Sequence, residues 1–248
     1  MKGIILAGGN GTRLKPLTDV TNKHLLPIYN KPMVFYPIDT LKSMGINDII
    51  LVTGKEFSGD FADLLGNGKK FGIEFTYKVQ EEALGIAHAL GTVKNTIGKD
   101  PITVILGDNI FMLGKDEIEE LKKRISEFSK NPSGAMIFLK EVNDPERFGV
   151  PEFDGNNNVI KIEEKPKEPK SKYAVTGLYI YDNTLFDKIS KLKPSKRGEF
   201  ELTDVNNLYI GEGRLKSHII KGEWTDAGTF ESLYRAGTLA KHLEEKNM

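Results

Sequence analysis

Cysteine is absent from all 248 residues, which excludes disulfides, thiolate nucleophiles and zinc–thiolate sites together. A reducing compartment, the cytoplasm, is the expectation that follows. An excess of one charge is missing too: Lys plus Arg and Asp plus Glu each number 35. No overall field therefore draws the chain to nucleic acid or to an anionic membrane, and any anion site must be local. No run of about 18 apolar residues occurs, and the N-terminus enters KGIILAG without the charged and apolar segments of a leader. The histidines His24, His88, His218 and His242 share no metal-ligand spacing and read as structural.

Short β-rich runs ending in Gly, Asp or Asn alternate with amphipathic segments through the first half: KGIILAG, NDIILVTG, IEFTYKV and PITVILGDN. This is the punctuation of βαβ units. Helices are expected at about 31–44, 57–65, 83–96 and 116–130, and near-continuously apolar strands such as ITVIL require a sheet covered on both faces. After GAMIFLKEV the pattern changes to strand-like pieces broken by Asp-Gly-Asn-Asn-Asn and Lys-Pro, before helices return near 184–190, 202–211 and 230–246. The expected fold class is α/β, a doubly wound, mostly parallel, Rossmann-like mixed sheet with helices on both faces and an inserted β-rich portion. Residues 1–248 read as one domain, with a core to about 140, an elaborated part over about 141–229 and a C-terminal helix over about 230–246.

The stretch LAGGNGTRLKPLT places Gly8, Gly9 and Gly11 where the first strand ends. Glycines there let the backbone approach a ligand and turn N–H groups toward phosphate oxygens. Arg13 adds a planar fork and Lys23 a compact charge. The order Gly9-Asn10-Gly11-Thr12-Arg13-Leu14 lacks the third glycine of the dinucleotide fingerprint, and no Gly-Lys-Ser/Thr follows. An ordinary tight βα turn is the competing reading. Ligands of open α/β sheets sit beyond the carboxyl ends of the strands, and two more polar features fall at such ends: Gln80 after IEFTYKV, and Gly107-Asp108-Asn109 after ITVIL. Asp108 reads either as a cap or turn aspartate or as a ligand for magnesium, which binds through one or two carboxylates plus substrate phosphate oxygens.

Taken in order, LAGGNGTRLKPLT with NKHLLPIYNKPM, QEEALGIAHAL, LGDNIF, RFGV, IEEKPKEPKSKYAVTGLYIYD, KRGEFELTDVN and WTDAGT span nearly the whole chain. This set resembles the sugar-phosphate nucleotidylyltransferase family, in its short, thymidylyl-transferring form. The resemblance implies formation of dTDP-glucose and pyrophosphate from dTTP and glucose 1-phosphate, with Mg2+. It implies a nucleotide held by Leu6, Gly8, Gly9, Gly11, Thr12, Arg13 and Asp108, its base meeting Gln80 and Gly85. Lys23 falls beside the reacting phosphates, and Asp108 and Asp226 become the metal ligands. The sugar phosphate falls to Asn109, Gly149, Glu164, Lys165, Val175 and Gly177, with Lys165 on the phosphate and Glu164 on hydroxyls. Arg13, Lys23, Lys165, Asp108 and Asp226 form the implied catalytic set, in a homo-oligomer (dimer or tetramer) without nucleic acid or membrane partners. A uridylyltransferase and a non-catalytic regulatory subunit are the alternatives; the second would be expected to have lost Arg13, Lys23, Asp108 or Asp226, and all four are present.

Local readings accompany these roles. The amide of Gln80 can donate to O4 and accept from N3–H of thymine, and uracil offers the same pattern. In NVIKIEEK, alternation puts Ile160 and Ile162 on one face and Lys161, Glu163 and Lys165 on the other. Glu164 and Lys165 can reach one ligand only if the strand ends or bends between them. Lys167, Lys170 and Lys172 read as a solvated loop. Trp224 reads as a core anchor, and Asp226 to Thr229 as a helix-capping turn as well as a ligand site. Phe148 and Ala227 stand where many relatives carry tyrosine and threonine.

Overall fold

The computed structural model describes residues 1–247. Strand β1 (Lys2–Ala7) is apolar on both faces: Ile4 and Leu6 join the core on one side of the sheet, Ile5 and Ala7 the core on the other. A strand buried twice over needs a layer on each side. The ladder β2 (Pro27–Ile28) and β3 (Lys31–Pro32) precedes α1 (Phe35–Ser43), β4 (Asp48–Gly54), α2 (Ser58–Leu65) and β5 (Glu74–Gln80). Helices α3 (Ile86–Gly91) and α4 (Lys94–Ile97) lead to β6 (Ile102–Leu106), β7 (Asn109–Met112), α5 (Lys115–Lys130) and β8 (Ala135–Glu141). The remainder comprises β9 (Gly149–Phe153), β10 (Val159–Glu164), β11 (Tyr173–Tyr181), α6 (Leu185–Ile189), α7 (Leu202–Gly211), β12 (Leu215–Ile219), β13 (Glu223–Asp226) and α8 (Phe230–Asn247).

The main sheet has seven strands in the order β12-β8-β11-β6-β1-β4-β5. Only β11 runs against its neighbours; the remaining pairs are parallel. From β1 the chain steps outward to β4 and β5, then returns to lay β6 on the opposite side of β1. That reversal opens a crevice at the carboxyl ends of β1 and β6, the place where ligands of such sheets bind. Two antiparallel ribbons flank it, β9 with β10 and β7 with β13. Asn207 of α7 fixes the first, accepting from Ile162 N at 2.9 Å and donating to Ile162 O at 2.8 Å. Among the described residues no helix is long and apolar enough to cross a membrane.

Three local expectations change. The helix expected from residue 31 begins at Phe35, because Met33 N and Val34 N donate to the carbonyls of Leu26 and His24. The helix expected over 83–96 is two short pieces, α3 and α4. Gly85 has φ +102° and cannot open a helix earlier, and Thr92 ends α3 by donating its hydroxyl to Ala89 O. In β10 a register shift between Val159 and Lys161 turns Ile160 outward, to 48% exposure, while Ile162 stays buried. The two isoleucines therefore do not share a face.

Candidate active site

The glycine turn leaves β1 at the switch point. Gly11 has φ +63°, and an added Cβ would lie 2.8 Å from Thr18 Cγ2 and 2.9 Å from Lys23 Cβ. Only glycine suits both conditions. Its carbonyl accepts from Leu14 N and from Thr18 Oγ1, which closes the turn over the 3-10 segment Thr12–Leu14. Leu6, Gly8, Gly9, Gly11 and Thr12 line one cavity of about 390 Å3, together with Gln80, Gly85, Lys23 and Asp108. Of the residues assigned to the nucleotide, only Arg13 lies elsewhere, in the adjoining cavity, where a Cβ on Gly228 would meet its Nη2 at 3.1 Å.

Lys23 and Asp108 form an ion pair that borders both cavities, with side chains 13% and 15% exposed. Burial alone would raise the Asp108 carboxyl, but the Lys23 ammonium and a hydrogen bond from Asn109 outweigh it and hold the group below the usual carboxylate range. Asn109 is a brace. Its Oδ1 accepts from Gly177 N and from Trp224 Nε1, both at 2.8 Å, and its Nδ2 donates to Asp108 Oδ1 at 3.0 Å. Trp224, 115 residues further along the chain, is brought there by the β7–β13 ribbon, which also sets Asp226 opposite Asn109. Asp226 thus comes to line the same cavity as Asp108. It also serves the capping turn: Gly228 N and Ser232 Oγ donate to its Oδ2, while Ser232 N donates to Thr229 Oγ1.

The second cavity measures about 260 Å3 and is lined by every residue assigned to the sugar phosphate: Asn109, Gly149, Glu164, Lys165, Val175 and Gly177. The strand does end where those roles demand it, since β10 stops at Glu164 and Lys165 turns into the left-handed region with φ +47°. Glu164 accepts from Thr203 Oγ1 at 2.6 Å and has Arg197 Nη1 at 3.6 Å from its Oε1. Phe148 packs edge-on to Trp224, with ring centroids 5.2 Å apart, and Ala227 is fully buried, its N–H donating to Asp108 O. Both positions are occupied by apolar packing rather than by a hydroxyl. Taken together the two cavities reach the size of an ordinary small-molecule site, roughly 300–1,000 Å3.

The sequence assigns no role to Arg147, Arg197 or Thr203, and it reads His88 as structural, whereas the structure places His88 against Gln80. Arg147 donates to both oxygens of Asp226, at 3.0 and 3.1 Å, and to Asp144 at 2.8 Å. His88 sits with its Nδ1 3.0 Å from Gln80 Nε2 and its ring stacked on Phe200. Each belongs to a stretch that drew notice in the sequence, but the partner lies on another element, and single-sequence spacing carries no information about it. His24 fits the structural reading: it is buried, Nδ1 is 2.7 Å from Asn22 Oδ1, and burial aided by the Lys23 charge lowers its pKa to about 3.

A doubly wound sheet with a glycine turn at its switch point, a half-buried Lys–Asp pair and a second cavity beside it is the arrangement expected of one class, the nucleotidyl transferases. The sequence profile of the nucleotidyl transferase family matches residues 2–242, and the chain belongs to that family. A glucose-1-phosphate thymidylyltransferase of Neisseria meningitidis serogroup A is 45% identical over 98% of this chain and 84% of its own. One from Mycobacterium tuberculosis H37Rv is 43% identical over 99% and 84%. Among solved structures, a candidate glucose-1-phosphate thymidylyltransferase of Bacillus anthracis in complex with a sucrose superimposes with TM-score 0.89 at 52% identity, covering 97% of this chain and 95% of that one. A UDP-glucose pyrophosphorylase complexed with UDP-glucose gives TM-score 0.84 at 26% identity, covering 97% and 98%.

Proposed function

We propose that the protein joins dTTP to glucose 1-phosphate, releasing pyrophosphate and leaving dTDP-glucose. The observation that carries this reading is the meeting of two cavities at Lys23 and Asp108, one lined by the glycine turn and an amide, the other by Glu164, Lys165 and glycines. Relatives named for this activity, 43–46% identical over nearly the whole chain, support the choice of substrates. Residues 1–140 then supply the nucleotide side, about 141–229 most of the sugar side, and about 230–246 the terminal helix. A cytoplasmic homo-oligomer is the proposed setting, on the lack of cysteine and on the resemblance.

A sugar 1-phosphate oxygen is already anionic near neutral pH, so its in-line attack on the α-phosphorus requires no general base. One P–O bond forms, the bond to pyrophosphate breaks, and the difficulty is to bring two polyanions together. Lys23, Arg13 and Lys165 supply positive charge, and the turn at Gly8, Gly9 and Gly11 supplies N–H groups, so positioning and neutralisation dominate. A divalent cation fits the donor set. Asp108 and Asp226 offer hard carboxylate oxygens to one cavity, where Lys23 and Arg147 now supply the positive charge beside them. Two carboxylates completed by phosphate oxygens and water describe a magnesium site rather than an all-protein cage. Bound there, Mg2+ would neutralise phosphate charge.

UTP is the second reading, because Gln80 meets uracil as it meets thymine and a UDP-glucose pyrophosphorylase shares the fold. A methyl group is worth only about 1–3 kcal/mol in an apolar pocket. Arg13→Ala and Asp108→Ala should each lower turnover by about 100-fold or more, with melting temperatures close to wild type. Near-wild-type rates in both would sink the assignment. Dye-monitored melting with dTTP and magnesium should show a ligand-dependent rise.

A further inference from the structure

Gln80 is 7% exposed, and its surroundings leave its amide little choice of orientation. Nε2 lies 3.0 Å from His88 Nδ1 and 3.4 Å from Gly85 O. A carbonyl only accepts, so the NH2 group belongs on that side. His88 Nδ1 must then be an acceptor as well, which places the ring proton on Nε2. The Oε1 atom is left beside the glycine turn, where a Cβ on Gly8 would meet it at 3.1 Å. Both acceptors rest on one support: Phe200 N donates to Leu84 O, Phe200 O accepts from Ala87 N, and the Phe200 ring stacks on His88. Gly85 cannot gain a side chain, since a Cβ would sit 2.8 Å from Phe200 N and O.

We propose that His88 is a positioning residue that decides which pyrimidines the nucleotide site takes, by holding Gln80 with its carbonyl outward; this rests on the reading of Gln80 as the base contact. An outward carbonyl matches the N3–H of thymine or uracil and opposes the N3 lone pair of cytosine. The same side chain turned over would present NH2 and invert that preference. At 3.4 Å the Gly85 contact is too long to hold the amide alone, so the group at position 88 makes the decision.

The test is steady-state kinetics with dTTP and with CTP, at saturating glucose 1-phosphate and magnesium, on Gln80→Ala, His88→Leu, His88→Lys and His88→Gln. Leucine removes the acceptor: the KM for dTTP should rise about tenfold, with a smaller change in kcat. Lysine offers donors only, so the dTTP-to-CTP ratio of kcat/KM should fall at least about tenfold. Glutamine restores an acceptor and should return both values toward wild type, which a loss of folding or of stacking on Phe200 would not. If Gln80→Ala collapses the ratio while His88→Leu and His88→Lys leave it intact, His88 has no positioning role. If Gln80→Ala leaves the ratio unchanged, Gln80 does not read the base, and the proposal falls with that reading.

Discussion

Gly177 sits against Asn109 so closely that an added Cβ would lie 2.5–2.7 Å from three atoms of the Asn109 side chain. Gly177→Ala must therefore displace the group that braces Asp108, Trp224 and the β11 backbone at once. Overpacking of this kind costs about 1–3 kcal/mol, and turnover should fall further than stability does; thermal melts beside initial rates check both. His24 carries a pH dependence. Its pKa is about 3 in the folded protein against an ordinary 6.5, so between these values the unfolded chain binds the extra proton. The stability it contributes is complete above about pH 6.5 and declines as pH falls toward 3. His24→Gln should flatten that limb in denaturant titrations at pH 7 and pH 5; equal slopes would contradict it. Gly8, Gly11 and Asp108 were legible as candidate site residues because their types and places at strand ends suit the chemistry, whereas Glu164 was expected only through the family resemblance. Arg147 and His88 were not, since what gives them meaning is Asp226 and Gln80 on other elements.

The ribbon of β7 and β13 decides whether Asp226 reaches the cleft at all. Its entry is pinned by buried Glu117 of α5, whose carboxylate accepts from Lys221 N at 2.6 Å and Gly222 N at 2.8 Å. Removing the acceptor leaves two backbone donors unpaired, at about 1–3 kcal/mol. Glu117→Ala should raise amide exchange in β13 and lower turnover, although the residue touches neither cavity; protection equal to wild type would refute the link. Strands β1, β4 and β6 were readable because double burial forces continuous apolar runs. The late start of α3 and the bulge in β10 were not, because they answer to Phe200 and to the β9 partner strand rather than to local pattern. Nor did the sequence disclose the β7–β13 pairing, which joins two four-residue segments far apart in the chain.

At the scale of the whole molecule, balanced charge means that attraction for two polyanions is confined to one cleft. Salt should therefore weaken substrate binding, and reductant should leave the melting temperature unchanged, since no cysteine is present. The sheet supplies the crevice, Lys165 after β10 and Asp226 of β13 line one cavity of it, and Lys23 with Asp108 marks the join with the other. The most direct test is pyrophosphate release by the purified protein with magnesium and glucose 1-phosphate, offered dTTP, UTP, CTP, GTP and ATP separately. Rapid release with dTTP, slower release with UTP and little with the others is the expected result. Release with no nucleotide, or equal release with purine and pyrimidine triphosphates, would contradict a thymidylyl transfer read through Gln80.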